Sequence, residues 1–228
     1  MAILTKAYVK DGAIAHRRLY FAHIPKTAGS SLYLAFLRDG WMIENVRLGN
    51  QAEGDRAVIN EFGIKKFQQY GTTGNLRRMV RSIQHAPYDI WHQWGPFEQS
   101  FAIVRHPVDR YVSALKYHHR HGNTGGADLD DSRRRVINAV RRGSWSRKRR
   151  FDGHFAPQVQ FVGPETNLYR FEEDFAQQIS DDFGFADGTF PSVNEAPPEA
   201  ITLTQEELDL IRAVYAEDFE TFGYTPPE

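Results

Sequence analysis

The stretch FAHIPKTAGSSL, Phe21–Leu32, decides how this chain is interpreted. It predicts a short strand that ends in a tight basic loop, followed at once by the start of a helix. A helix N-terminus presents unpaired backbone N–H groups and partial positive charge, so it is a natural place for an anion. Because Gly29 allows close approach of the backbone and Lys26 adds a full charge, we expect this loop to hold a phosphate or a sulfate.

The loop supplies several hydrogen-bond donors in a short distance. We expect hydroxyl groups from Thr27, Ser30 and Ser31. We expect backbone N–H groups from the whole run of Thr27, Ala28, Gly29, Ser30 and Ser31. The loop differs from the nucleotide-kinase pattern GxxxxGK[ST], because its lysine precedes the glycine and no Lys-Ser/Thr pair follows to hold magnesium. The alternative interpretation is an ordinary strand–helix connection with a capping serine.

A second segment, FAIVRHPVDRYVSAL at Phe101–Leu115, has the same strand–turn–helix form. Its apolar run ends in Arg105, which is typical of a buried parallel strand, and Pro107 suits the first position of a helix. The planar fork of Arg105 fits a phosphate, and Ser113 lies within its reach along the helix. The alternative is that Arg105 pairs with Asp109 or another carboxylate. Two such turns together indicate a ligand that is anionic at both ends.

Strands and helices alternate outward from these two segments. The pattern predicts strands at Leu19–Ile24, Trp41–Val46, Phe101–Arg105 and Asn167–Phe171, and helices at Ser30–Arg38, in patches over 55–84, after Pro107 and after the capping-box sequence Thr204–Glu207. This alternation predicts an α/β fold, a three-layer P-loop-type domain with a central parallel sheet flanked by helices. We expect one domain over residues 1–228, with its first strand near residue 19 and its ligands at the carboxyl ends of the strands.

The composition excludes several classes of protein. The 228 residues include 41% hydrophobic and 25% charged residues with a net charge of −1, so no overall field attracts nucleic acid or a membrane surface. Cysteine is absent, which excludes disulfides, thiolate metal sites and thiol nucleophiles. No apolar run approaches the roughly 20 residues of a membrane span, and the N-terminus lacks a signal-peptide core. We therefore expect a cytoplasmic protein.

At the two turns the chain resembles the sulfotransferases that use 3′-phosphoadenosine 5′-phosphosulfate, and it looks closest to the carbohydrate branch that includes heparan 2-O-sulfotransferase and the HNK-1 sulfotransferase. In that family a PKT.GS(S/T) loop binds the 5′-phosphosulfate and an R.P..R..S segment binds the 3′-phosphate. The matching segments here are PKTAGSS at 25–31 and RHPVDRYVS at 105–113. The resemblance implies that Lys26 to Ser31 hold the 5′ end of the donor and that Arg105 and Ser113 hold its 3′-phosphate.

The resemblance also assigns candidate residues for the reaction. His85 stands about where the family carries a histidine, so it is the candidate base for the acceptor hydroxyl, while Lys26 would stabilise the leaving oxygen. The segment HFAPQ is like the family's H..PQ, so His154 and Gln158 are candidate acceptor-binding residues, with His154 as the alternative base. The implied acceptor is a small molecule or a glycan, with or without an anionic group. No metal is expected, and no H-E-x-x-H cluster appears.

Two other functions stay open at this point. One is a P-loop kinase for a small molecule or nucleotide, and the other is a non-catalytic module that binds a polyanion. The arginine-rich stretch Arg133–Arg150 is compatible with an anionic acceptor dock or with a solvated face balanced by the acidic C-terminal region. The aromatic-rich stretch Tyr88–Phe97 is compatible with an acceptor cleft or with core packing.

Overall fold

A computed structural model describes residues 2–44, 85–143, 151–185 and 201–228. Its sheet has five strands in the order β3-β1-β2-β4-β5. They are β1 Ala2–Lys10, β2 Ala13–Phe21, β3 Met42–Glu44, β4 Gln99–Val104 and β5 Thr166–Arg170. Strands β2, β4 and β5 run parallel, whereas β1 pairs antiparallel with both β2 and β3. The predicted α/β class is confirmed, with a mixed sheet whose central strands are mostly parallel.

Helices flank the sheet on both faces. In the described ranges they are α1 Gly29–Arg38, α2 Tyr88–Trp91, α3 Pro107–Arg120, α4 Leu129–Arg141, α5 Phe175–Phe183, α6 Gln205–Val214 and α7 Ala216–Phe222, with 3-10 helices at His92–Trp94 and Gln158–Phe161. None of these helices combines the length and apolar character needed to cross a membrane. The helical patches predicted over 55–84 lie outside the described residues.

The prediction that the first strand starts near residue 19 is wrong. Strand β1 precedes it, and β2 already begins at Ala13. The two strands are joined by Asp11 and Gly12, whose φ angles of 52° and 76° are those of the two-residue turn that best fits the twist of a hairpin. Only Leu19–Phe21 of β2 pair with β4. The end of the hairpin therefore extends past the parallel part of the sheet.

Two of the three hydrophobic clusters cover opposite faces of the sheet. Phe101 and Ile103 of β4 pack with α1 and α5, whereas Ala102 and Val104 pack in a cluster that contains Trp91. This alternation follows from the two-residue period of a strand. A third cluster joins α3, α4, α6 and α7 to one another beside the sheet. The predicted three layers are therefore present.

The register of the sheet positions the two turns for which the sequence predicts anion binding. Phe21 of β2 lies opposite Phe101 of β4 in a parallel pair, and Ala22 N donates to Phe101 O at 2.8 Å just beyond the strand. The carboxyl ends of both strands therefore lie side by side at one edge. The loops that follow β2 and β4 must meet there.

The predicted C-terminal helix begins as expected but is divided in two. Thr204 and Glu207 form the predicted capping box at the start of α6. Tyr215 then separates α6 from α7. Its buried hydroxyl donates to Phe155 O at 2.9 Å. The C-terminal helices are therefore tied to the segment that carries His154 and Gln158.

Candidate functional site

The loop after β2 turns through two left-handed residues. Lys26 and Ala28 have φ angles of 71° and 64°, which are uncommon and costly for residues with a side chain. Ala28 is the N-cap residue of α1, and no side chain caps this helix. The backbone donors of the first turn are therefore available to an anion. Backbone strain of this kind is concentrated at functional sites.

Two residues of this loop have structural roles that the sequence did not reveal. Thr27 is fully buried, and its hydroxyl donates to Ile24 O at 2.8 Å. A Cβ at Gly29 would lie 2.0 Å from His23 Nε2, so the glycine makes room for a histidine ring. Thr27 can therefore serve an anion only through its backbone N–H. Ser30 and Ser31 lie in the first turn of α1, half-buried and buried respectively.

Lys26 lies among cations and against an aromatic ring. Its Nζ is 4.3 Å from the centroid of the Tyr117 ring in α3. Burial, with the charges of Arg105 and Arg120, lowers the pKa of Lys26 to about 8. No carboxylate in the described ranges forms an ion pair with it. A half-buried ammonium group in this setting would be stabilised by a bound anion.

Arg105 reaches the same loop from the end of β4. Its Nη1 donates to Lys26 O at 3.3 Å, which joins the two turns directly. The guanidinium carbon lies 4.3 Å from the centroid of the Phe171 ring. The buried Nε finds no hydrogen-bond partner in the described part of the chain. Asp109 and Glu172 raise the pKa of Arg105 against the larger effect of burial, but neither forms an ion pair with it.

Gln158 holds the backbone of Arg105. Its Oε1 accepts from Arg105 N at 3.0 Å and its Nε2 donates to Arg105 O at 2.8 Å, and the side chain is fully buried. Asp218 of α7 accepts from Gln158 N at 2.9 Å and Val159 N at 3.0 Å, so it anchors the 3-10 helix that carries Gln158. The residue that was expected to bind the acceptor thus supports Arg105 here.

Two further polar residues of the second turn lie on α3. Arg110 is buried, and its guanidinium donates to His154 O at 3.0 Å and to Ala156 O at 2.6 Å. Arg110 therefore supports the segment around His154. Ser113 is half-buried and lies one helical turn before Tyr117, on the same side of the helix. Because Lys26 lies against Tyr117, this side of α3 faces the loop.

Four histidines from separate parts of the chain lie together beside this loop, and we call His23, His85, His118 and His154 the histidine cluster. Ring centroids are 4.9 Å apart for His23 and His85, 5.3 Å for His85 and His154, and 4.7 Å for His118 and His154. Burial is the largest effect on each and lowers all four pKa values, that of His118 to about 3. The four rings are therefore neutral near pH 7.

His85 is held by Asp152. His85 Nδ1 lies 2.9 Å from Asp152 O and 3.1 Å from Asp152 Oδ2. Asp152 has a left-handed φ of 47°. In this conformation its carbonyl oxygen and its carboxylate Oδ2 both contact Nδ1 of His85. Burial lowers the pKa of His85, while the hydrogen bond and charge of Asp152 act in the opposite direction. The result is a neutral, oriented imidazole.

Three of these groups could also hold a metal ion. One ligand atom from each of His85, Asp152 and His154 lies within 4.8 Å of the others. Imidazole and carboxylate groups are ordinary ligands of zinc and related ions. The expectation from the sequence that no metal takes part therefore stays a prediction.

Most arginines in the described part of the arginine-rich stretch are paired with acidic residues. Arg141 lies 2.8 Å from Glu206, and Arg133 lies 3.8 Å from Glu207 in the C-terminal region. The carboxylate of Asp131 accepts hydrogen bonds from both Arg134 and Arg135. These pairs agree with a face balanced by the acidic C-terminal region, while Arg147–Arg150 lie outside the described residues.

The aromatic-rich stretch contributes mainly to the core. Trp91 is buried and stacks on Tyr20 with ring centroids 4.1 Å apart. Phe97 contacts the same Tyr20 ring at 5.1 Å. Core packing therefore accounts for Trp91 and Phe97.

Sequence reasoning missed Tyr117, His118 and Asp152. Tyr117 and His118 follow Ser113 by one helical turn, so the helical period could have marked them as residues near the loop. Asp152 lies two residues before His154, but a lone aspartate in a loop carries no signal of its own. Its contact with His85 depends on the fold.

The fold and the site define an α/β protein with a P-loop-type fold, in which a strained basic loop at a helix N-terminus meets an arginine that follows the adjacent parallel strand. The family model described as Sulfotransferase family matches residues 14–225, and the chain belongs to the sulfotransferase family. This membership supports sulfuryl transfer in general. Searches of curated proteins and of solved structures found no match.

Proposed function

We propose that this protein transfers the sulfuryl group of 3′-phosphoadenosine 5′-phosphosulfate to an acceptor hydroxyl, within one domain over residues 1–228. The observation that carries the proposal is the junction of the two turns, where Arg105 Nη1 lies 3.3 Å from Lys26 O. Two cations without carboxylate partners in the described ranges thus lie at the ends of adjacent parallel strands. A donor that is anionic at both ends would supply both counter-charges.

The residues present fit this donor. Lys26 and the backbone from Thr27 to Ser31 would hold the 5′-phosphosulfate, and Arg105 with Ser113 would hold the 3′-phosphate. The buried Arg105 Nε without a partner is a donor that a phosphate oxygen would satisfy. Gln158 contributes by fixing the backbone of Arg105. The donor itself supplies the sulfuryl group and a phosphate leaving group.

Positioning and charge stabilisation account for the chemistry. Sulfuryl transfer resembles phosphoryl transfer, because the group moves in line between two oxygens while negative charge grows on the leaving phosphate. Lys26 in its charged form would stabilise that charge. His85, neutral because it is buried, would take the proton of the acceptor hydroxyl.

The proposed acceptor is a carbohydrate hydroxyl. The resemblance to the carbohydrate branch supports this, and so does Tyr117, a half-buried aromatic ring that contacts both Lys26 and His154. Sugars stack on such faces. Arg120 is exposed on the same helix and close enough to affect the pKa of Lys26, so the acceptor side carries positive charge. An anionic glycan would fit this charge.

Titration calorimetry with adenosine 3′,5′-bisphosphate tests the donor site. We expect binding that is selective over ADP and 5′-AMP, because Arg105 recognises the 3′-phosphate. Arg105→Ala should weaken binding of the bisphosphate about 10- to 100-fold, the loss expected for a charge-assisted hydrogen bond, and leave 5′-AMP binding unchanged. Arg134→Ala, which alters an exposed arginine on α4, is the matched control. Equal affinity for ADP and the bisphosphate would contradict the proposal.

Chelation of metals should leave turnover unchanged. Lys26 and Arg105 supply the positive charge that magnesium supplies in P-loop kinases. The measurement is the rate of adenosine 3′,5′-bisphosphate release with and without EDTA in metal-free buffer. Activity that disappears with EDTA and returns with Zn²⁺ would instead show that His85, Asp152 and His154 hold a required metal.

A further inference from the structure

A buried series of hydrogen bonds connects helix α7 to Arg105. Asp218 of α7 is fully buried, and its carboxylate accepts from Gln158 N at 2.9 Å and from Val159 N at 3.0 Å. The side chain of Gln158 in turn holds both backbone groups of Arg105. A carboxylate near the C-terminus is therefore linked to Arg105 through a single amide side chain.

Gln158 takes the place of a neighbouring strand at the end of β4. The ladder between β4 and β5 ends at the pair Val104 and Arg170, so Arg105 is the first residue beyond it. An amide side chain offers a donor and an acceptor, as a peptide group does. Because Gln158 pairs with both the N–H and the C=O of Arg105, it fixes this stretch of backbone. It thereby fixes the direction in which the arginine side chain leaves the chain.

The guanidinium of Arg105 is held at two further points. Its Nη1 donates to Lys26 O at 3.3 Å, and its carbon lies 4.3 Å from the centroid of the Phe171 ring. These contacts use one nitrogen and one face of the group, whereas the buried Nε finds no partner in the part of the chain that the structure describes. A buried donor whose direction is fixed and whose partner is missing is suited to an anionic ligand.

The backbone donors at this turn are already occupied by side chains. Arg105 N donates to Gln158 Oε1 at 3.0 Å, and His106 N donates to Glu172 Oε1 at 2.8 Å. The loop after β2 differs, because no side chain caps the helix that follows it. Recognition of a phosphate at the second turn therefore depends on side chains, and Arg105 supplies the positive charge.

We propose that Gln158 and Asp218 are positioning residues for selectivity toward the 3′-phosphate. Asp218 fixes the 3-10 helix, and Gln158 fixes Arg105 so that its guanidinium meets the phosphate. In this role both residues act through Arg105 rather than by contact with the donor. The inference rests on the proposed function, in which Arg105 binds the 3′-phosphate.

Two substitutions interrupt this series of contacts. Asp218→Asn keeps the size of the side chain but replaces one accepting oxygen with an NH2 group, which then faces a backbone N–H. Gln158→Met removes the amide itself at similar volume. Glu207→Gln is the matched control. Glu207 is also fully buried and accepts from a backbone N–H, that of Thr204 at 2.9 Å, but it belongs to the cap of α6.

The first test needs no ligand. In 1H–15N spectra of the arginine Nε–H groups, the Arg105 signal is identified by its loss in Arg105→Lys. We expect slow exchange with solvent in the wild-type protein, because this Nε is buried and its guanidinium is held. Asp218→Asn and Gln158→Met should shift the signal and accelerate its exchange, whereas Glu207→Gln should do neither. A fast-exchanging wild-type signal, or an unchanged signal in either folded variant, would overturn the inference.

Calorimetry then separates positioning from general stability. Asp218→Asn and Gln158→Met should each bind adenosine 3′,5′-bisphosphate about 3- to 10-fold more weakly, the change that corresponds to one hydrogen bond, and should bind 5′-AMP as the wild-type protein does. In an Arg105→Ala background neither should weaken bisphosphate binding further, because the group that they position is gone. A merely structural role would weaken the binding of both nucleotides or of neither, and either result would overturn the inference.

Failure of the proposed function gives a different result. Wild-type protein that binds ADP as tightly as the bisphosphate would contradict the donor assignment. The Nε–H spectra would still decide whether Gln158 and Asp218 hold Arg105, because they are recorded without any nucleotide.

Discussion

Replacing Lys26 with alanine should lower kcat by about 100- to 1,000-fold, the loss seen when one donor to a developing negative charge is removed. The reason is that Lys26 is the cation of the loop after β2 and lacks a carboxylate partner in the described ranges. The release of adenosine 3′,5′-bisphosphate measures the rate, because every acceptor generates this product. Lys10→Ala, at an exposed residue of the hairpin, should retain wild-type turnover.

The pH dependence of kcat/KM tests whether Lys26 acts through its positive charge. Burial disfavours the charged form and lowers its pKa to about 8, so the protein loses this charge as the pH rises through that value. We therefore expect kcat/KM to fall on the alkaline side of pH 8 in the wild-type protein. Lys26→Arg keeps its charge and should not show this fall, although its rate will be lower. Wild-type turnover in Lys26→Ala would remove Lys26 from the mechanism.

Replacing His85 with glutamine should lower kcat by about 100- to 10,000-fold while donor binding stays unchanged, because the loss of a general base affects proton transfer rather than anion binding. The two quantities are measured separately, by initial rates and by calorimetry with adenosine 3′,5′-bisphosphate. His16→Gln, at an exposed histidine of β2, is the control for the substitution itself.

Thermal unfolding of the His85→Gln variant distinguishes loss of the base from loss of the fold. His85 is only 2% exposed, so the variant must first be shown to retain its fold. His154→Gln provides the comparison within the cluster and should lower the rate less, because it leaves the proposed base in place. A folded His85→Gln protein with near wild-type turnover would exclude His85 as the base.

Much of the fold could be predicted from the sequence. The strand that ends just before Arg105, the helix that begins at Pro107 and the capping box at Thr204 all depend on residues that are neighbours in the chain. The N-terminal hairpin was missed although the sequence contains its signal. That signal is Asp-Gly between alternating apolar residues, which is the strongest short hairpin pattern. The mixed sheet follows from that hairpin.

The candidate site, like the fold, could be predicted from the sequence only in part. The sequence indicated Lys26 and Arg105 as the cations of two loops, and the parallel register brings these loops into contact. Gln158 was expected at the acceptor but is turned toward the Arg105 backbone. Side-chain direction of this kind depends on packing from α7, which a local pattern does not contain.

The sequence by itself determined the two strand–turn–helix segments, because a loop, its lysine or arginine and the helix that follows are contiguous in the chain. Only the tertiary structure decided which histidines lie together. His85 and Asp152 are 67 residues apart, and His118 and His154 are 36 residues apart, so no local pattern relates them. Folding alone brings these groups within hydrogen-bond distance of one another.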